Sequence, residues 1–156
     1  MTDMFENILV PLDGSEPSNH ALELAVSIAE KYGSKVTLIA VVPRVVLPVF
    51  PDEGFGTAPV TAAKDMARYQ DKMKEIYENV LKEAREKVSK EHPGIELETT
   101  LKEGRPSATI VETAEEGDVD LIVIGSRGVG GITGWILGST SRRVVDTCTK
   151  PILIVK

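Results

Sequence analysis

Hydrophobic residues occur along the chain in five short runs, at 7–12, 35–42, 95–101, 120–125 and 151–156. Four of them are rich in Val, Ile and Leu with little alternation, as is typical of parallel strands that are covered on both faces. The third run alternates apolar and polar residues, which predicts a half-exposed strand at the edge of a sheet.

Four segments with helical periodicity separate these runs. Ser15 is placed to cap the first helix and Gly33 to end it. The second helix is predicted from about 61 to 91, the third from Pro106 to about residue 116, and the fourth from near Ser139 to before residue 150. The core-facing stripe predicted for the second helix consists of Met66, Tyr69, Met73, Ile76, Val80, Ala84 and Val88.

The alternation of strands and helices predicts an open, mostly parallel α/β sheet. We expect a single domain over residues 1–156, because no repeat and no second set of elements is visible. The irregular stretch at about 43–60 contains four prolines. A stretch of this length is predicted to be a flexible loop, such as a lid or a binding loop.

The amino-acid composition and net charge exclude several classes of protein. The 156 residues are 42% hydrophobic and 27% charged, which is ordinary for a soluble globular protein. No apolar run approaches the roughly 20 residues that cross a bilayer, and no signal peptide is predicted. The single cysteine, Cys148, is expected to be packed rather than reactive and suits the cytoplasm. The net charge of −6 argues against nucleic acid as a partner, so any anion site must be local.

A glycine-rich stretch follows the fourth predicted strand. Residues 125–143 contain six glycines and lead into a predicted helix through Gly-Ser-Thr-Ser. Ligands of open α/β sheets sit beyond the carboxyl ends of the strands, and a strand–glycine loop–helix unit can offer backbone N–H groups to an anion. The stretch is therefore a candidate phosphate site, and a purely structural loop is the alternative.

Two common phosphate motifs do not match this stretch. A Walker A loop requires a lysine after its last glycine, where this chain has Ser139. A dinucleotide fingerprint that begins at Gly128 fails at Thr133. The spacing Gly-x2-Gly-x9-Gly-Ser over 125–139 instead resembles the nucleotide-binding signature of the universal stress protein family, ATP-binding branch.

The resemblance covers nearly the whole chain, including "ILVPLDGSEPSNHALELA" and "KPILIVK". It implies a five-stranded parallel sheet in the order 3-2-1-4-5 with helices on both faces, similar to the adenine nucleotide alpha hydrolases. It also implies a bound ATP, or AMP or ADP, with Mg or Mn. A homodimer joined through the strand at 151–156 is expected, because that apolar edge is unprotected.

The resemblance assigns site residues to three parts of the nucleotide. Asp13 is expected to take a ribose hydroxyl or to face the metal ion, and an Asx turn is the structural alternative. Arg127 is expected to neutralise phosphate charge, unless it is an ordinary exposed arginine. The residues implied are Pro11, Asp13 and Val41 for adenine and ribose, Gly125, Arg127 and Gly128 for one phosphate wall, and Gly138, Ser139, Thr140 and Ser141 for the phosphates.

The sequence departs from relatives within the glycine stretch, where residues 129–137 carry no charge. Trp135 is expected to pack under this loop, and a cover over the nucleotide is the alternative. Neither histidine, His20 or His92, is placed to support hydrolysis. The resemblance therefore implies a nucleotide-dependent switch in the stress response, with slow or no turnover. A slow ATPase or self-phosphorylating enzyme and a nucleotide-free interaction protein, its client unknown, are the alternatives.

Overall fold

The computed structural model describes residues 4–45, 58–128 and 136–156. Strands and helices alternate along these ranges, as the sequence pattern predicts. The elements are β1 (Asn7–Pro11), α1 (Glu16–Tyr32), β2 (Lys35–Pro43), α2 (Ala58–Glu91), β3 (Leu97–Gly104), α3 (Pro106–Glu116), β4 (Leu121–Gly125), α4 (Ser139–Thr147) and β5 (Ile152–Val155).

The five strands form one parallel sheet in the order β3-β2-β1-β4-β5, which confirms the predicted order. In register, Ile8 of β1 pairs with Val36 of β2 on one side and with Leu121 of β4 on the other. The chain moves outward from β1 through β2 to β3, and then crosses back to β4 and β5. The order therefore reverses between β1 and β4, where open α/β sheets bind ligands.

Helices cover both faces of the sheet, as predicted. Alternate residues of β1 point to opposite faces, so that Val10 belongs to one apolar cluster and Leu9 to the other. The first cluster packs α1 and α2 on the sheet and includes Leu22 and Leu81. The second packs α3 and α4 and includes Val144. Because both faces are covered, the four strands other than β3 carry continuous apolar runs rather than alternating ones.

The ends of α1 follow the predicted local signals. The Ser15 hydroxyl accepts the Ser18 N–H at 3.4 Å, and Gly33 ends the helix in the left-handed region with φ 72°. Strand β3 lies at a sheet edge, as its alternating pattern predicts. In the ranges that the structure describes, no helix is long and apolar enough to cross a membrane.

Helix α2 differs from its prediction in two respects. It begins at Ala58, so the end of the predicted 43–60 loop is helical, whereas residues 46–57 lie outside the described ranges. The predicted stripe is also partly wrong, because Tyr69 and Ile76 are 54% and 48% exposed. Gln70 and Tyr77, each the next residue along the helix, are half-buried in their place, because the prediction followed the apolar residue type at these two positions rather than the face that α2 turns to the sheet. Leu81, which the predicted stripe omits, is buried, and Val88 is buried as predicted.

Candidate functional site

A cavity of about 350 Å³ opens at the carboxyl edge of the sheet, at the switch point between β1 and β4. Its volume lies in the range of roughly 300–1,000 Å³ that is usual for small-molecule sites. It brings together every site residue that the sequence predicted. Those residues are Pro11, Asp13, Val41, Gly125, Arg127, Gly128, Gly138, Ser139, Thr140 and Ser141.

The turn after β1 holds Asp13 in place. One carboxylate oxygen of Asp13, Oδ1, accepts the Ser15 N–H at 2.9 Å, so the predicted Asx turn is present. Gly14 supplies the left-handed backbone with φ 83° that this turn requires. The other oxygen, Oδ2, lies against Gly128, where a Cβ would stand only 2.7 Å away. The turn thus orients the carboxylate toward the cavity, and the two interpretations of Asp13 are compatible.

Gly125 has a packing role that the sequence did not reveal. It is the last residue of β4, and a Cβ there would stand 2.8 Å from Pro17 C and from Ser18 N. The missing side chain lets the first turn of α1 approach the end of β4. Just beyond, the Ser126 N–H donates to the Val155 carbonyl at 2.7 Å, which ties the segment to β5. Contacts with α1 and β5 therefore fix Gly125 and Ser126 at the base of the cavity.

The first turn of α4 forms a second side of the cavity. Its N-cap is Gly138, whose own N–H donates to the Ser126 carbonyl at 2.7 Å. A Cβ at Gly138 would stand 3.3 Å from Arg127 Cα, so the absence of a side chain permits this close approach. The first N–H groups of a helix have no acceptor within the helix, and its dipole favours an anion there. Ser139 and Thr140 line the cavity beside these groups.

The hydroxyl of Ser141 is directed into the protein. Ser141 is only 3% exposed, and its Oγ lies 2.9 Å from the Ser126 carbonyl and 3.1 Å from the Gly138 carbonyl. A hydroxyl has a single hydrogen to donate, and here both nearby acceptors are backbone carbonyls. Ser141 is predicted to be one of the residues that hold the phosphates, and it lines the cavity. In the structure its hydroxyl fixes α4 on the segment after β4.

Residues that were not predicted from the sequence also line the cavity. Ile39, Pro43 and Ile110 add apolar lining, and Tyr77 of α2 adds a phenol. The pKa of Tyr77 is raised, first by burial and then by the negative charge of Asp13. Tyr77 lies 64 residues after Asp13 along the chain, and no motif around it marks it as a site residue. The crossing of α2 over the sheet brings it to the cavity.

Charged groups are few around the cavity. Asp13 and Arg127 are the only ionised side chains among the described residues that line it. Over the described ranges, no three His, Cys, Asp or Glu side chains are grouped so as to hold a metal ion. Mg²⁺ in nucleotide sites commonly uses one or two carboxylates together with the phosphates of the ligand. Asp13 therefore suits a metal that arrives with a nucleotide, and does not form a metal site by itself.

Trp135 belongs to the stretch 129–135, which lies outside the described residues. The expectation that its indole packs under the loop therefore stays a prediction.

The chain has a doubly wound α/β fold with a cavity at its switch point, walled by glycines and by the start of a helix. The chain belongs to the universal stress protein family, whose model matches residues 4–156. Universal stress protein YxiE of Bacillus subtilis is 32% identical over 153 residues, which covers 98% of this chain and 100% of that protein.

Solved structures support the same assignment. The structure of protein MJ0577 of Methanocaldococcus jannaschii superimposes with a TM-score of 0.80 at 25% identity, covering 98% of this chain and 96% of that one. A universal stress protein crystallised in complex with cAMP superimposes with a TM-score of 0.62 at 27% identity, covering 97% and 96% of the two chains.

Proposed function

We propose that this protein binds an adenine nucleotide, ATP with Mg or Mn, between the end of β1 and the segment 125–141. AMP and ADP share the adenosine part and are expected to bind as well. The nucleotide acts as a switch in the stress response, in the cytoplasm, with slow or no hydrolysis. We expect the protein to act as a homodimer.

One observation carries this proposal. Ten residues, predicted from the sequence in three separate segments, line a single cavity of about 350 Å³. The fold alone brings these strand ends to one edge, but it does not require a carboxylate, a guanidinium and the start of a helix to line one cavity of small-molecule size. The cAMP complex of a relative adds support, because that protein shares the fold and its ligand contains adenosine.

The residues around the cavity suit the parts of ATP. The first turn of α4 and the guanidinium of Arg127 would attract the phosphates. Ile39, Val41 and Ile110 would surround the flat adenine with apolar side chains. Asp13 would bind a ribose hydroxyl or help to hold the metal. The metal, when bound, would neutralise phosphate charge, while the protein's own residues would bind and orient the ligand.

The same cavity offers little for hydrolysis. Hydrolysis of ATP requires a group that positions water and further charge that stabilises the leaving phosphate. Of the described residues that line the cavity, only Asp13 is a carboxylate and none is a histidine. His20 lies near Glu16 on α1, and His92 pairs with Glu30. We therefore favour a binding protein over the alternative of a slow ATPase or self-phosphorylating enzyme.

Native mass spectrometry of protein purified without added nucleotide tests this function. We expect a mass increment that corresponds to an adenine nucleotide, and after incubation with ATP and Mg²⁺ we expect most of the bound ATP to remain intact. Transfer of label from γ-labelled ATP to Ser139 or Thr140 would favour the self-phosphorylating enzyme. Protein that stays without nucleotide at saturating ATP would identify an interaction protein instead.

The outer edge of β5 is expected to join two copies of the chain. The four residues of β5 are apolar and only half-buried in the single chain. The Val155 and Pro151 carbonyls accept N–H groups from the segment around β4, at 2.7 and 2.9 Å. Backbone groups alternate in direction along a strand, so those of Ile152 and Ile154 face away from β4. An edge of this kind pairs readily with another chain.

Light scattering at micromolar concentration should therefore show a dimer. Ile154→Pro should give a folded monomer, because proline removes an outward N–H that pairing needs and is tolerated on edge strands. Ile154→Val keeps that N–H and should remain a dimer. Deletion of residues 152–156 is a less specific test, since it also removes the carbonyl that holds Ser126. A full-length chain that is monomeric under these conditions would contradict the prediction.

A further inference from the structure

Helix α2 is held across the mouth of the cavity at two points. Gln70 donates from Nε2 to the Pro43 carbonyl at 3.2 Å and accepts the Val45 N–H through Oε1 at 3.3 Å. This side chain fastens α2 to the chain as it leaves β2. Ten residues later, Val80 meets the turn after β1, where a Cβ at Gly14 would stand 3.2 Å from Val80 Cγ2. The segment between these contacts therefore spans the carboxyl edge of β2 and β1.

Tyr77 lies in this segment, one helical turn before Val80, and lines the cavity. Gly14, the residue that Val80 contacts, directly follows Asp13. The phenol of Tyr77 and the carboxylate of Asp13 thus border the same end of the cavity. A phenol keeps its hydrogen at neutral pH and is available as a donor. Burial and the charge of Asp13 raise the Tyr77 pKa further.

The other parts of the cavity have different chemistry. Its phosphate side has the start of α4 and Arg127, and its adenine side has the apolar side chains Ile39 and Ile110. The end with Asp13 and Tyr77 offers a carboxylate acceptor and a neutral hydroxyl. A ribose presents two neighbouring hydroxyl groups, each of which can donate one hydrogen bond and accept up to two. This pair of side chains is complementary to such a diol.

We propose that Tyr77 is a specificity-determining residue that hydrogen-bonds a ribose hydroxyl of the bound nucleotide. Asp13 accepts a hydroxyl hydrogen from the same sugar. The inference rests on the proposed nucleotide function, and adds to it a preference for ribonucleotides that is set by α2.

Tyr77→Phe removes the hydroxyl and keeps the ring that packs on the apolar core. Calorimetric titration with ATP, 2′-deoxy-ATP and 3′-deoxy-ATP, each with Mg²⁺, should show that the wild type binds ATP more tightly than at least one deoxy analogue. In Tyr77→Phe the ATP affinity should fall roughly two- to tenfold, the usual range for one hydrogen bond. The affinity for the analogue that lacks the contacted hydroxyl should not change, so that the preference disappears.

Tyr69→Phe is the matched control, since Tyr69 lies on the same helix, is 54% exposed and does not line the cavity. This variant should keep the wild-type affinities for all three ligands. Equal losses for the three ligands in Tyr77→Phe would indicate a merely structural role and overturn the inference. A wild type without preference, or a Tyr77→Phe variant that keeps the wild-type preference over both analogues, would also overturn it. A wild type that binds no adenine nucleotide would instead contradict the proposed function, before any variant is compared.

Discussion

ATP with Mg²⁺ should raise the melting temperature of this protein by roughly 5–11 °C at a hundredfold excess over its dissociation constant. A ligand that binds only the folded state stabilises it by about 2.7 kcal/mol under that condition. For a domain of 156 residues, each kcal/mol corresponds to about 2–4 °C. Differential scanning fluorimetry with and without nucleotide measures the shift.

Ser139→Asp should abolish most of this shift. Ser139 is the first residue of α4, is exposed and lines the cavity, so an aspartate there would repel the phosphates. A negative charge in the first turn suits the helix dipole, and the nucleotide-free variant should therefore fold normally. Gly138→Val is a poorer probe, because its Cβ would also press on the backbone at Arg127.

Ser89→Asp supplies the control for charge. Ser89 is exposed near the end of α2 and does not line the cavity, so this variant should keep the full ATP shift. If the wild type shows no shift with Mg²⁺ present, or if Ser139→Asp retains all of it, the assignment of the phosphate site to the start of α4 is wrong.

Gly125→Ala should destabilise the nucleotide-free protein by about 1–3 kcal/mol, the usual cost of an added group in a well-packed site. The new Cβ would stand 2.8 Å from backbone atoms of Pro17 and Ser18, which cannot rotate away as a flexible side chain would. The first turn of α1 would have to move from β4. At about 2–4 °C per kcal/mol, the melting temperature should fall by roughly 2–12 °C.

Gly94→Ala is the matched control, because a Cβ at this exposed glycine has no heavy atom within 4 Å. Its melting temperature should stay the same or rise slightly, since alanine reduces the entropy of the unfolded chain. Thermal unfolding of both variants without nucleotide gives the two melting temperatures to be compared. An unchanged melting temperature in Gly125→Ala would show that the contact with α1 can relax at no cost.

Local patterns were sufficient for most of the fold. The apolar runs predicted four strands, because strands that are covered on both faces need apolar residues at nearly every position. Alternation of apolar and polar residues predicted β3 at the edge. Ser15 and Gly33 predicted the ends of α1, since capping depends on neighbours within one turn. The strand order came from the resemblance to a family and from no local signal, because pairing joins residues that are distant in the sequence.

The candidate site was partly predictable for a topological reason. Asp13 and Gly125 lie at the ends of parallel strands and Ser139 at the start of a helix, so the fold must bring them to one edge of the sheet. Tyr77 and Gln70 were missed, because nothing in their own neighbourhood marks a helical residue as facing a cavity. The stripe through Tyr69 and Ile76 was wrong for a related reason, since the rotation of α2 was inferred from spacing alone.

The sequence by itself thus determined the succession of elements, the ends of α1 and the edge of the sheet at which a ligand can bind. These depend on periodicity and on bonds between near neighbours. Only the tertiary structure decided how α2 is rotated, that the Ser141 hydroxyl donates to backbone carbonyls, and that Gly125 makes room for α1. Each of these depends on a surface assembled from remote segments, where a few tenths of an ångström separate a contact from a clash.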